Sequence, residues 1–367
     1  MRILLLAGEE SGVMYAERIK ESVRGKDPSV EIRGYGDYGF EISDLAVIGF
    51  FAVLLKIRFF LRVKRTMERA IDEWKPDVVC TVDYPGMNLK LAAYAKKKGI
   101  RAVHVVCPQV WAWKKGRIPK IEASLDKLCC FFPFEPKLFR PGFAEFVGHP
   151  LVDEMQDEVE RRGGQGDEKI LAVLPGSRLG EIEKHMPVLL DVINNLCAPS
   201  APLCGKIKIV IPAANERAYC VILSSVSRLK PSSCVVVTHG GARAALRDAT
   251  AAVVASGTAT LEAALVECPT VLVYRVNWLF AAIMRRLIKG VSHLGLANII
   301  AEKAGVPCPM PELLQEDFTT EKVLAALRPI LTDEVANAAV RQSLADTMML
   351  LKSNGGAIGR IVTCLGV

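Results

Sequence analysis

Asp83 closes an apolar, β-type run, Val78-Val79-Cys80-Thr81-Val82, and is followed at once by the turn residues Tyr84-Pro85-Gly86-Met87-Asn88. A carboxylate released at the carboxyl end of a buried parallel strand can take a proton from a substrate hydroxyl, because ligands of open α/β sheets bind beyond those ends. The same residues also suit an ordinary turn, since Asp ahead of Pro-Gly is common turn chemistry.

A second set of residues is built for phosphate. Leu174-Pro175-Gly176-Ser177-Arg178 ends another apolar strand and opens a helical pattern. Backbone N–H groups at a helix start attract phosphate oxygens, Ser177 adds a hydroxyl, and Arg178 can neutralise a diphosphate. Ser256-Gly257-Thr258-Ala259-Thr260-Leu261-Glu262 repeats this geometry after a later strand. Its small residues admit a ligand, and Glu262, one turn in, could accept hydrogen bonds from a ribose diol. Gly295-Leu296-Ala297-Asn298 could aim the Asn298 amide at the same ligand. Each stretch alone is compatible with simple helix capping. Together they describe a nucleotide-diphosphate site. No G-K-[ST] follows the first turn, so it is not a P-loop, and no strong D-x-D candidate stands in a loop after a strand. No metal and no cofactor is expected; leaving-group charge falls to the helix starts and Arg178.

These residues need elements to hold them, and the hydrophobic pattern supplies an alternation of strands and helices. Strands are expected at 2–7, 30–35, 78–82, 101–106 and 126–132, then at 169–174, 206–211, 233–238, 251–255 and 269–274. The first glycine loop, Gly8-Glu9-Glu10-Ser11-Gly12, precedes a helix carrying Met14, Ala16, Ile19 and Val23. Gly34-Tyr35-Gly36-Asp37-Tyr38-Gly39 matches G-x-G-x-x-G, but it follows the second strand with no clear helix start after it, and reads as a glycine-rich turn. The fold class is α/β: two Rossmann-like doubly wound domains facing across a cleft. We expect an N-terminal domain over 1–152, a charged, glycine-rich linker over 153–168, a nucleotide-diphosphate-binding domain over 169–340, and a helical segment over 341–367 that packs back on the first domain.

Composition bounds the rest. A chain of 367 residues with 51% hydrophobic content and a mean hydropathy of +0.26 is globular with something extra apolar. Its net charge of +7 and 7% aromatic content give no case for nucleic acid, and suit an anionic substrate or membrane surface. Most of the eleven cysteines sit in or beside apolar runs, as small core residues of a reducing compartment do. The N-terminal run turns acidic after a handful of apolar residues, so it reads as a strand and not an export signal.

Residues 45–65 are the oddest. Phe50, Val53, Leu54, Ile57 and Leu61 make the usual core stripe, and Phe51, Leu55 and Phe59 make a second stripe that a soluble helix does not need. The uninterrupted run is too short for a bilayer, which takes about 20 residues, so with its interleaved Lys and Arg it suits a segment lying in an anionic interface or buried between domains. Trp111 and Trp113, beside Lys114, Lys115 and Arg117, could stack on a sugar or acyl chain, or pack under a loop.

At these residues the chain resembles the lipid-A-disaccharide synthase family, glycosyltransferases of the two-domain GT-B fold. The resemblance rests on the ordered set Ala7-Gly8-Glu9-Glu10-Ser11-Gly12, Leu45-Ala46-Val47-Ile48-Gly49-Phe50, Val82-Asp83-Tyr84-Pro85-Gly86-Met87-Asn88, Pro108-Gln109-Val110-Trp111-Ala112-Trp113, Phe132-Pro133-Phe134-Glu135, Gly148-His149-Pro150, Leu174-Pro175-Gly176-Ser177-Arg178, Ser256 to Glu262, Tyr274-Arg275 and Asn298. It covers residues 1–330. The resemblance implies inverting transfer of 2,3-diacylglucosamine from UDP-2,3-diacylglucosamine to the 6-hydroxyl of 2,3-diacylglucosamine 1-phosphate, giving a β-1,6 disaccharide and UDP. It implies Asp83 as catalytic base, and Ser177, Arg178, Ser256, Gly257, Thr258, Glu262 and Asn298 around the UDP-sugar. Ser11, Gly12, Asn88, Trp111 and Trp113 fall to the acceptor side or its loops, and Phe50, Phe51, Leu55 and Phe59 to the membrane-touching region. The expected place is the cytoplasmic face of the inner membrane of a Gram-negative-type bacterium, with a second copy of the chain as a further candidate partner. Val13 departs from the family, whose loop usually continues Ser-Gly-Asp, and Ala297 stands where the family tends to have Pro. Alternatives are a MurG-like transferase or sugar-nucleotide epimerase, or a catalytically weak membrane-associated binding homologue.

Overall fold

The computed structural model describes residues 1–41, 45, 57–160, 168–227, 229, 234–277 and 290–367. They form two compact units, Met1–Asp153 with Leu351–Val367, and Glu154–Leu350. Each is a Rossmann-like unit built on a six-stranded, all-parallel sheet.

In the first unit the strands are β1 (Arg2–Ala7), β2 (Glu31–Arg33), β3 (Val78–Val82), β4 (Arg101–Val105), β5 (Lys127–Cys130) and β6 (Ala144–Phe146), in the order β2-β1-β3-β4-β5-β6. Parallel strands with helices on both faces must be apolar on both sides, which is why β3 reads as an unbroken apolar run. Its alternate residues part to two cores. Cys80 and Val82 pack with Ile19 and Val23 of the helix Glu10–Lys26 and with Ile361 and Leu365 of the helix Ala357–Leu365. Val79 packs with Met67, Ile71 and Trp74 of the helix Ile57–Trp74.

The second unit holds β7 (Lys169–Leu174), β8 (Ile207–Ala213), β9 (Val235–His239), β10 (Ala251–Ala255), β11 (Thr270–Tyr274) and β12 (Glu312–Leu314), in the order β12-β11-β10-β7-β8-β9. Leu171, Val173, Ile209, Ile211 and Val253 bury against Ile182, Leu189 and Ile193 of the helix Leu179–Cys197.

Three features differ from the sequence expectations. The short strands β6 and β12 complete the two sheets beyond the expected ten. A helix, Pro150–Glu160, with Leu151 and Met155 buried, occupies much of the stretch read as linker. In the helix Ile57–Trp74 the stripes exchange roles. Ile57 and Leu61, assigned to the core, are 51% and 48% exposed, whereas Phe59, assigned to a membrane, packs edge-on against Phe40 and Phe60. The reason is register: Phe59 continues through the buried Val63, Met67, Ala70 and Trp74, while Ile57 and Leu61 continue into Arg65 and Arg69. Phe50, Phe51 and Leu55 lie outside the described residues.

Candidate active site

A doubly wound sheet opens its ligand crevice where the strand order reverses, outside the carboxyl ends of the two strands there. In the first sheet those strands are β1 and β3, which end at Ala7 and Val82 in register with one another. The first glycine loop and Asp83 therefore emerge side by side.

Asp83 holds a left-handed backbone, φ 50°, and so does Tyr84. Its N–H donates to Val105 O at 2.9 Å, and its Oδ1 accepts from the Tyr84 N–H at 2.9 Å. The glycine loop presses on this turn. A Cβ on Gly8 would stand 2.5 Å from the Tyr84 ring, and one on Gly12 would stand 3.6 Å from Asp83 Cβ. Burial raises the Asp83 carboxyl above the usual carboxylate range, opposed by the Tyr84 N–H. Glu9, missed in the sequence reading, is raised too, by partial desolvation and then by the Asp83 charge. The sequence signal for it was its place in the Gly8 loop.

Asn88 is fully buried and is spent on the backbone rather than on an acceptor. Its Nδ2 donates to Leu6 O, Val82 O and Asp83 O at 3.2, 3.1 and 2.8 Å, and its Oδ1 accepts from Tyr35 Oη at 2.8 Å. One amide thus ties the ends of β1 and β3 to the Asp83 turn. Val13, the position at which the resemblance implies an acid, packs on the core and lines a cavity of about 280 Å³ with Ala16, Ile32 and Gly34. The side chain of Ser11 is not among those described.

The two indoles separate. Trp111 is buried, edge-on to Phe132 and Phe134, with Nε1 donating to Glu135 Oε1 at 3.0 Å, so it cannot serve as a stacking platform. Trp113 is 41% exposed with the Lys114 ammonium 4.3 Å from its ring centre. Glu135 also accepts from the Phe132 N–H. With Cys107 and Cys130 it forms a group whose ligand-type atoms lie within 4.8 Å of one another, the only such trio among the described residues. Both Glu135 oxygens already serve this loop.

Burial lifts the Glu135 carboxyl from its ordinary 4.5 to about 8, against the pull of the Phe132 and Trp111 donors. The folded chain keeps a proton there that the unfolded chain gives up above 4.5. Glu135 therefore makes stability fall as pH rises from 4.5 to about 8, and adds no slope beyond. Glu135→Gln should remove that part of the slope. Denaturant midpoints of both proteins at about pH 5 and about pH 9 measure it; parallel slopes would move the proton elsewhere.

In the second sheet the order reverses between β7 and β10, which pair from Leu171 with Ala251 to Leu174 with Val254. The turns Pro175–Arg178 and Ser256–Thr258 therefore leave adjacent strand ends, and both open helices, Leu179–Cys197 and Thr258–Leu265. Neither helix has a side-chain cap on its first N–H groups. Gly176 at φ 119° and Gly257 at φ 155° adopt backbone that L side chains rarely take. Ser177, Arg178, Gly257 and Thr258 are exposed and Ser256 is half-buried. Arg178 meets Glu181 at 3.0 Å with 69% of its side chain exposed. Glu262 is engaged by Arg243 Nε at 2.8 Å, so a ribose diol would share this carboxylate with a guanidinium.

Asn298 differs from the expectation. It is fully buried, donates to Met310 O at 2.7 Å and Glu312 Oε1 at 2.8 Å, and accepts from the Met310 N–H at 3.1 Å. Its amide fastens the strand entering β12 instead of pointing at a ligand. Glu312 meanwhile accepts from the N–H groups of Leu294 and Gly295. Sequence reasoning also missed His185. Its Nδ1 donates to Pro175 O at 2.7 Å and its Nε2 accepts from the Arg275 N–H at 2.9 Å, joining the Pro175–Arg178 turn to the exit of β11. Burial lowers its pKa.

Comparison with known proteins bears on the family and the fold. The family model described as lipid-A-disaccharide synthetase matches residues 3–354. A lipid-A-disaccharide synthase of Syntrophus aciditrophicus is 34% identical over 359 residues, covering 93% of this chain and 91% of the relative. One from Burkholderia mallei is 35% identical over 374 residues, covering 96% and 93%. Among solved structures, the S. aureus MnaA-UDP co-structure superposes with a TM-score of 0.63 at 12% identity, covering 98% of this chain and 95% of that one. Acinetobacter baumannii MurG gives 0.60 at 11% identity, covering 100% and 99%. At such identities the structural likeness speaks for the fold alone.

Proposed function

Since the chain belongs to the lipid-A-disaccharide synthetase family, we propose that it moves 2,3-diacylglucosamine from its UDP carrier to the 6-hydroxyl of 2,3-diacylglucosamine 1-phosphate, with inversion. The chain is an enzyme, a glycosyltransferase that forms the lipid A disaccharide, and it takes a UDP-sugar.

The observation that carries the finer reading is Asp83 at the switch point of the first sheet, with its carboxyl raised by burial. A carboxylate raised by burial is a stronger base than a free one. The Asp83 carboxylate takes the proton of the acceptor hydroxyl as its oxygen attacks the anomeric carbon. The bond from that carbon to the diphosphate oxygen breaks on the opposite face. Arg178, Ser177 and the helix starts at Leu179 and Thr258 receive the charge that develops on UDP. Gly8, Gly12 and Asn88 hold the base in place.

Both substrates carry acyl chains, and the helix Ile57–Trp74 suits an anionic surface. Its exposed face sets Ile57 and Leu61 among Arg58, Arg62, Arg65 and Arg69. Among the described residues no helix is long and apolar enough to cross a membrane. The protein then works as a peripheral protein at the cytoplasmic face of the inner membrane.

Incubating the purified chain with UDP-2,3-diacylglucosamine and 2,3-diacylglucosamine 1-phosphate should give the disaccharide 1-phosphate and UDP by mass spectrometry. UDP binding without that product would overturn the acceptor assignment.

A further inference from the structure

The sulfurs of Cys197 and Cys234 lie 2.6 Å apart, 37 positions from one another in sequence. That is well inside the sum of two sulfur van der Waals radii and about 0.6 Å beyond the bond length of about 2.0 Å. Cys197 is the last residue of the helix Leu179–Cys197, and Cys234 immediately precedes β9, the outer strand of its sheet. Cys197 is buried and Cys234 half-buried, so Cys234 is the more open of the two to a small reagent. Cys204, exposed and 3.8 Å from Cys197 O, is the nearest competing thiol, but its sulfur meets the backbone and not the Cys197 sulfur.

We propose that Cys197 and Cys234 are a redox modification site, closing to a disulfide on encounter with a low-molecular-weight disulfide and reopening under thiol. The Cys234 sulfur attacks one sulfur of the small disulfide, whose S–S bond breaks and releases one thiolate. The Cys197 sulfur then attacks Cys234 in the mixed disulfide and expels the second small thiol. The two protons of the cysteines end on the two released thiols, and the small disulfide is the species reduced. Burial and the neighbouring thiol hold the Cys197 proton tightly, so the first attack belongs to Cys234. The bond straps the outer strand β9 to the far end of the helix that opens at the Arg178 turn. An outer strand has one unpaired edge and gains most from such a strap.

The test uses the full chain, folded and equilibrated with oxidised glutathione, then denatured, alkylated and mapped by mass spectrometry. A peptide joining Cys197 to Cys234 is expected, reversed by dithiothreitol, retained in Cys204→Ser and absent in Cys197→Ser. Mapping of the unsubstituted chain decides the matter even where the Cys197 variant fails to fold. Recovery of both cysteines alkylated, of Cys234 left as a glutathione adduct, or of Cys197 joined to Cys204 would each overturn the proposal. With the bond in place the melting temperature of the unit should rise by about 5 °C or more, and an unchanged value would overturn the strap.

Discussion

Asp83→Asn should lower kcat by about 10³-fold or more while leaving UDP affinity unchanged. The amide keeps the size of the carboxylate and can still accept the Tyr84 N–H at 2.9 Å, so the turn retains its hydrogen bond. Asn also tolerates the left-handed backbone that this position requires at φ 50°. Only the capacity to take a proton is lost, and with it about 4 kcal/mol of transition-state stabilisation. Steady-state turnover by disaccharide formation, beside calorimetric titration with UDP, separates the two effects. A variant that turns over within a few-fold of the original chain would remove Asp83 from the role of base.

Arg178→Ala should show the complementary signature. Its guanidinium is 69% exposed and paired with Glu181 at 3.0 Å. An exposed pair contributes little to stability, so the fold should survive. A guanidinium on a diphosphate is a stronger, charge-assisted contact, worth about 1.5–3 kcal/mol. The dissociation constant for UDP should therefore rise about 10- to 100-fold. Arg178→Lys keeps the charge without the fork and should recover part of the loss. Unchanged UDP affinity in Arg178→Ala would place the diphosphate elsewhere. Loss of turnover without loss of UDP affinity at Asp83, against loss of UDP affinity at Arg178, is the pattern that assigns chemistry to one sheet edge and leaving-group binding to the other.

The alternation of strands and helices was legible because a parallel sheet buried on both faces needs unbroken apolar runs, and Val78–Val82 and Ala251–Ala255 are such runs. The strands β6 and β12 were not, being three residues each at the sheet margins and only half-buried. The glycine turns were visible from composition, since Gly176 and Gly257 stand where only glycine is comfortable. What composition could not show was the direction of side chains. Asn88 and Asn298 look like ligand-facing amides after turns, yet tertiary packing buries both and spends them on backbone carbonyls. The exchanged stripes of the helix Ile57–Trp74 did leave a signal. Following Phe59 to Trp74 and Ile57 to Arg69 along the helix distinguishes the inward face, which a short window around Phe50 to Leu61 cannot.

His185 holds the phosphate turn with both ring nitrogens occupied, one giving a proton to Pro175 O and the other receiving one from the Arg275 N–H. Such a ring has room for one proton and no more, because a second would set two N–H groups head to head. This imidazole is thereby a neutral rivet in the turn proposed for the diphosphate, and not an anion hook. Among the described residues, the Pro175–Arg178 turn itself carries one cationic side chain, Arg178. On the proposed reading, a second proton on His185 would cost the turn its bond to the Arg275 N–H without adding a hook for phosphate.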